Sequence, residues 1–166
     1  MPLKKRLFAF AVSILFLLID TSVIPFTGLN TAYMPRLSLL SVITIALLAG
    51  RTQGILYGAI TGVLTDITLT IPTGLVSALY TIAGFLAGWI GRQMRVRILS
   101  SIVAPIVSML VYELTMLVYY FMQAQTVAAS QALAMLARVG IGTVLIQPLY
   151  LLYNLVLKPK RSRYAR

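Results

Sequence analysis

The sequence predicts an all-α integral membrane protein, built as a single bundle of six transmembrane helices. Of its 166 residues, 60% are hydrophobic and only 10% are charged, whereas soluble domains carry about 25% charged residues. The mean hydropathy is +0.94, and the apolar residues fall into six runs separated by short polar segments. The chain has no cysteine and no histidine, which argues against thiol or imidazole catalysis and ordinary zinc or iron sites. No cofactor and no metal are expected.

The apolar runs define the predicted helices, which are residues 7–24, 37–49, 55–71, 75–90, 99–122 and 132–157. The first follows three basic residues, as in a signal peptide, but it exceeds the roughly 7 to 15 apolar residues of a cleaved signal. No cleavage site follows, so we expect it to stay attached as an anchor. The second is short beside the roughly 17 to 25 residues that span a bilayer. It therefore either includes residues 33–36, or tilts in the membrane, or lies only half buried in the membrane.

The third and fourth runs carry glycines at helical spacing. Glycine stands at every fourth position from Gly50 to Gly62, the series ends in Asp66, and a shorter series follows in the fourth run. Because glycine has no Cβ, a second helix can approach closely, and close packing drives helix association in lipid. Packing within the chain is favoured, and the seam of a homodimer is the alternative. The predicted helix-contact face consists of Gly54, Gly58, Gly62, Gly84 and Gly88.

The fifth and sixth runs each contain one proline. Pro105 and Pro148 each remove a backbone donor from a helix interior, which predicts a kink in both helices. The side chains of Ser101, Thr143 and Gln147 are placed to satisfy the backbone groups that are freed.

The basic residues indicate the orientation of the bundle. With six spans, twelve of the 14 lysines and arginines fall on one side, and only Arg36 and Arg138 fall on the other. By the positive-inside rule both termini are cytoplasmic. We expect residues 1–157 to form the transmembrane domain and residues 158–166 a basic cytoplasmic tail that lies on anionic lipid. Since the charges gather at the membrane ends of the helices, nucleic acid is not an expected partner.

The three acidic residues of the chain lie within predicted helices. Asp20, Asp66 and Glu113 are each about 20 Å from the cytoplasmic start of their helix, at 1.5 Å per residue, and Arg36 and Arg138 lie at a similar depth. An unpaired charge in hydrocarbon is costly. We therefore predict an intramembrane charge layer in which Arg138 neutralises Asp66 and Glu113, and Arg36 lies nearer Asp20. The alternative is that one of these charges, Asp66 first, contacts a partner helix.

The sequence does not fit two known classes of intramembrane protease. An aspartyl protease needs two carboxylates, and Asp20 with Asp66 supplies a pair. However, Val63, Leu64 and Thr65 precede Asp66, where such proteases have glycine-x-glycine. A serine protease of the rhomboid kind needs a histidine, which the chain lacks. Catalysis is not expected.

The stretch of residues 35–92 carries a recognisable series of motifs. A Pro-x-x-x-Leu-Leu entry is followed by Gly50-Arg51-x-x-Gly54-x-x-x-Gly58-x-x-x-Gly62-x-x-x-Asp66, then Pro72-x-Gly74-Leu75 and Gly84-x-x-x-Gly88-x-x-Gly91. This series resembles the bacterial rod shape-determining protein MreD family. The chain length, the six runs and the basic ends also agree. The motifs cover about a third of the chain, and the last two runs resemble the family only in hydropathy.

The resemblance implies a non-enzymatic scaffold subunit of the cell-elongation (rod) complex in the bacterial cytoplasmic membrane, supporting peptidoglycan synthesis and rod cell shape. Its implied partners are MreC, which has a single transmembrane helix, and the SEDS glycosyltransferase and class B transpeptidase of the complex. The implied fold is similar to that of the S components of energy-coupling-factor transporters. The alternative function is therefore a vitamin-binding S component, in which Tyr33, Asp66, Tyr112 and Glu113 line a cavity. The few polar groups in the outer loops favour the scaffold.

Reporter fusions test the predicted orientation. Because the basic residues gather on one side, fusions at Arg97 and Arg166 should report a cytoplasmic location, and fusions at Thr27 and Gln125 an external one. An external signal at Arg97 would contradict the six-span topology.

Overall fold

The computed structural model describes residues 3–23, 33–68, 74–94, 97–122 and 129–157. These residues are all helical, apart from short connections, and contain no strand. The six α-helices are α1 (Leu3–Leu18), which continues as a π-helical segment (Ile19–Val23), α2 (Leu37–Ala49), α3 (Arg51–Thr68), α4 (Leu75–Gln93), α5 (Arg97–Met122) and α6 (Ala129–Leu157). The prediction of an all-α chain with six helices is confirmed.

Three of the described helices are long and apolar enough by themselves to cross a bilayer. They are α4, the Leu99–Met122 part of α5 and the Leu133–Tyr153 part of α6. Phe8–Ser22 and α2 are shorter apolar helices. Whether all six helices span the membrane therefore stays a prediction.

The sidedness of the chain also stays a prediction. The basic tail, residues 158–166, lies outside the described residues, as do residues 24–32 and 123–128, which are predicted to be on the external side, and the side chains of residues 4–6 and 97. Arg51 and Arg92 are described and exposed. They lie where α3 begins and α4 ends, at the opposite end of the bundle from Arg36 and Arg138.

The short helix α2 is the centre of the bundle. It contacts all five other helices, and its nine consecutive residues from Ser38 to Ala46 are buried. A helix that is surrounded in this way is mostly apolar on every side, which explains why leucine, isoleucine, valine and alanine make up all of α2 except Ser38, Ser41 and Thr44. The predicted extension through residues 33–36 is wrong, because the backbone of Arg36 is extended (φ −71°, ψ 112°). Whether α2 tilts or lies half buried in the membrane stays a prediction, because its burial among neighbouring helices does not give its depth in a bilayer.

A single residue, Gly50, connects α2 to α3. It has φ +91°, a left-handed conformation that residues with a Cβ rarely adopt. Its amide still donates to the Ala46 carbonyl at 2.9 Å, so α2 ends with its backbone satisfied. This tight reversal places α3 directly beside the central helix.

Five glycines of α3 and α4 lie in one intramolecular contact between these two helices, whereas Gly91 of α4 lies against Leu47 of α2. A Cβ on Gly54 would overlap the backbone of Gly84, and a Cβ on Gly58 would overlap that of Tyr80. A Cβ on Gly88 would overlap the backbone of Arg51. The two helices therefore meet backbone to backbone along most of their length, and α4 occupies the face that a homodimer would use.

Gln147 satisfies a backbone group at the proline of the neighbouring helix. Pro105 lies inside α5, so the carbonyl of Ser101, four residues earlier, has no amide donor from that position. The Gln147 side-chain amide, on α6, donates to this carbonyl at 3.3 Å, as predicted. The corresponding expectation for Thr143 is wrong, because its hydroxyl donates to the Val139 carbonyl at 2.8 Å within α6.

Replacing a contact glycine by alanine should destabilise the bundle, whereas replacing an open one should not. A Cβ on Gly62 would overlap the Ser77 backbone, but a Cβ on Gly140 would meet no atom within 4 Å. Overpacking of this kind costs about 1 to 3 kcal/mol, while alanine improves helix propensity by up to about 1 kcal/mol. Thermal unfolding in detergent should therefore show a lower midpoint for Gly62→Ala and an equal or higher one for Gly140→Ala. Equal midpoints for the two variants would argue against a tight contact at Gly62.

Candidate functional site

Asp66 caps the start of α4. Its carboxylate accepts hydrogen bonds from the backbone amides of Gly74 (3.0 Å), Val76 (3.2 Å) and Ser77 (3.0 Å). The first amides of a helix have no partner within the helix, and a carboxylate at this position also interacts favourably with the helix dipole. Asp66 lies near the end of α3 and is only 5% exposed. The side chain therefore joins the end of one helix to the start of the next.

Asp20 does the same for α2. It lies in the π-helical segment after α1, and its two carboxylate oxygens accept from the backbone amides of Leu37 (3.0 Å) and Ser38 (2.8 Å). The Ser38 hydroxyl in turn lies 2.9 Å from the hydroxyl of Tyr80 on α4. The start of the central helix is thus held by α1 and α4 together.

Glu113 and Arg138 form an ion pair between α5 and α6. The Arg138 guanidinium donates to a Glu113 carboxylate oxygen at 2.7 Å, and the two side chains are 28% and 9% exposed. The structure therefore contains this expected pair. The expected pairing of Asp66 with Arg138 is wrong, because three amides at the start of α4 already occupy the Asp66 carboxylate. Asp20 and Arg36 form no ion pair either, since Asp20 is occupied by the amides of α2.

Arg36 stacks on an aromatic ring instead. Its guanidinium carbon lies 5.8 Å from the centroid of the Tyr112 ring, within the range of a cation–π interaction. The ring of Tyr112 also packs edge-on against that of Tyr80, with centroids 5.8 Å apart. The charged group at the start of α2 is thus held by two tyrosines from α4 and α5.

A cavity of about 380 Å³ lies above the start of the central helix. Side chains from α1, α2, α3, α5 and α6 line it, together with the segment before α2; the polar ones include Asp20, Arg36, Thr65, Tyr112, Glu113 and Arg138. A second cavity, of about 350 Å³, adjoins it between α5 and α6 and shares the Glu113–Arg138 pair. Among the residues predicted to line a cavity, Tyr112 and Glu113 do so, whereas Asp66 is a helix cap and Tyr33 lines neither of these two cavities.

Sequence reasoning missed the two capping interactions and the contribution of Thr65 and Met34 to the cavity. A carboxylate near the end of one helix, followed within about ten residues by the start of another, is the signal that could have found the caps. Nothing in the sequence marks Thr65 or Met34, because their roles depend on where five helices meet.

The ion pair and the helix caps predict for which double variants the losses of unfolding free energy do not add. Residues that interact directly are coupled by about 0.5 to 3 kcal/mol, so the losses from Glu113→Gln and Arg138→Gln should not add. Asp66→Ala combined with Arg138→Gln is the matched control, and its losses should add within about 0.5 kcal/mol. Unfolding by sodium dodecyl sulfate in mixed micelles measures these free energies. Strong coupling in the control, with none between Glu113 and Arg138, would contradict the pairing seen here.

Comparison with known proteins gives one family match. The family described as "rod shape-determining protein MreD" matches residues 4–156, nearly the whole chain. No curated protein and no solved structure shows significant similarity to the chain. The match includes the last two helices, which carry none of the motifs that suggested the family. The chain therefore belongs to the MreD family of rod shape-determining proteins.

Proposed function

We propose that this protein is a non-enzymatic scaffold subunit of the rod complex, which binds MreC and thereby supports peptidoglycan synthesis and rod cell shape. The observation that carries the proposal is the family match over residues 4–156. The arrangement of the three acids supports a scaffold. Two of them are helix caps and the third is an ion pair, so each one holds two helices together.

The proposed place of the protein is the bacterial cytoplasmic membrane, with six spans and both termini in the cytoplasm. In this orientation Arg36, Glu113 and Arg138 face the outer leaflet, and Arg51 and Arg92 face the cytoplasm. The basic tail, residues 158–166, would lie on anionic lipid at the inner surface. The SEDS glycosyltransferase and the class B transpeptidase would be further partners on the outer side, where the wall is built.

The Glu113–Arg138 pair is the proposed contact with MreC. Of the five residues of the predicted charge layer, Asp20 and Asp66 are occupied by backbone amides. Arg138 is 28% exposed even within its ion pair, and the pair borders both cavities. A partner helix that passes beside α5 and α6 can therefore reach a charged group without breaking a helix cap.

Co-purification with MreC tests the proposal. The double variant Glu113→Gln, Arg138→Gln removes both charges together, which costs less than leaving one of them unpaired. It should fold in normal yield but retain several-fold less tagged MreC and fail to restore rod shape. Arg92→Gln, at the opposite end of the bundle, is the matched control and should retain MreC fully. Full retention by the double variant would place the MreC contact elsewhere, and no retention by wild-type protein would reject the scaffold.

A further inference from the structure

Two arginines, Arg36 and Arg138, line the cavity. Arg138 pairs with a carboxylate, whereas Arg36 forms no ion pair with the described carboxylates. The chain has only three acidic side chains, of which Glu113 pairs with Arg138, and Asp20 and Asp66 accept from backbone amides. The carboxylate of Asp20, which lines the same cavity as Arg36, is thus satisfied by the amides at the start of α2. Arg36 is left with the Tyr112 ring and the Tyr80 hydroxyl as its contacts among the described residues. A guanidinium has five N–H donors, and Arg36 lines the cavity, so donors that these contacts do not use are available to a ligand there.

The Tyr112 hydroxyl is a second unused group at the same place. Tyr112 is only 3% exposed, and its hydroxyl oxygen has no hydrogen-bond partner among the described residues. A buried hydroxyl without a partner is unfavourable, because it has lost its hydrogen bonds to water without gaining others. The side chain lines the cavity, so a ligand bound beside Arg36 would satisfy it.

The cavity has the size and the walls of a small-molecule site. Its volume of about 380 Å³ falls within the roughly 300 to 1,000 Å³ of known ligand pockets. Leu17, Met34 and Met116 supply apolar wall to the same cavity. Methionine is flexible and polarisable, so these walls suit an apolar body of variable shape.

We propose that this cavity binds an amphipathic anion. The carboxylate or phosphate group of the ligand accepts hydrogen bonds from the Arg36 guanidinium, which matches both groups bidentately, and from the Tyr112 hydroxyl. The apolar part lies against Leu17, Met34 and Met116. The anion comes either from a membrane phospholipid or from a soluble organic acid, and both present the same chemistry to Arg36. This site goes beyond the proposed scaffold function and does not depend on MreC.

Binding to the isolated protein tests the site. In nanodiscs of neutral phosphatidylcholine, octanoate and octyl phosphate should raise the thermal unfolding temperature in a saturable manner, and octanol at equal concentration should not. Native mass spectrometry of protein from nanodiscs containing phosphatidylglycerol identifies the source. One retained phosphatidylglycerol that octanoate displaces assigns the site to lipid, whereas octanoate binding without retained lipid assigns it to a soluble acid.

Three variants and one control locate the binding. Arg36→Gln should weaken octanoate binding about tenfold or more, since hydrogen bonds to charged groups contribute most. Arg36→Lys keeps the charge but loses the bidentate fork, and Tyr112→Phe keeps the ring but loses the hydroxyl, so both should weaken it severalfold. These two variants decide the question even where Arg36→Gln does not fold. Arg92→Gln should bind like wild type.

Three results would overturn the proposal. The first is equal stabilisation of the protein by octanol and octanoate. The second is a loss of octanoate binding in Arg92→Gln as large as the loss in Tyr112→Phe. The third is the absence of any bound octanoate, octyl phosphate or phosphatidylglycerol. None of these results depends on MreC, so the site and the scaffold function can fail separately.

Discussion

The bundle depends on the capping of two helix starts by carboxylates of the preceding helices. The first amides of a helix have no partner within the helix, and an unsatisfied backbone group inside a membrane costs several kcal/mol. Asp20 satisfies two such amides in α2, and Asp66 satisfies two in α4 together with that of Gly74, the residue just before it. Because each acid belongs to the preceding helix, the same bonds that satisfy the backbone also fix where the next helix begins.

The three acids of the chain thus define three helix pairs. Asp20 joins α1 to α2 and Asp66 joins α3 to α4, while Glu113 joins α5 to α6 through Arg138. The first two pairs use backbone amides and the third uses a side chain, because Arg138 lies well inside α6 rather than at its start. A charge that is held by backbone amides needs no arginine. This is why Arg36, beside Asp20, is left to face the cavity.

The helices and the glycine face could be predicted from the sequence because both are local patterns. The apolar runs differ from the observed helices by a few residues at their ends, and the spacing of Gly54, Gly58 and Gly62 gives the contacting side of α3 directly. The partner of Asp66 could not be predicted in this way. The position of a carboxylate along its helix gives its depth in the bundle, but not the neighbour towards which the side chain points. Arginine is visible in the sequence as a candidate partner, whereas backbone amides are present everywhere and become available only where a helix begins.

The cavity arises from the shortness of the central helix. With 13 residues, α2 is about 20 Å long at 1.5 Å per residue, whereas the hydrocarbon core of a bilayer is about 30 Å thick. The neighbouring α5 and α6 have 26 and 29 residues and extend beyond the start of α2. A recess therefore forms where α2 begins, with walls of long helices and a floor made by the start of α2 itself. The residue before that start is Arg36, so the length of one helix places a cation at the bottom of a pocket.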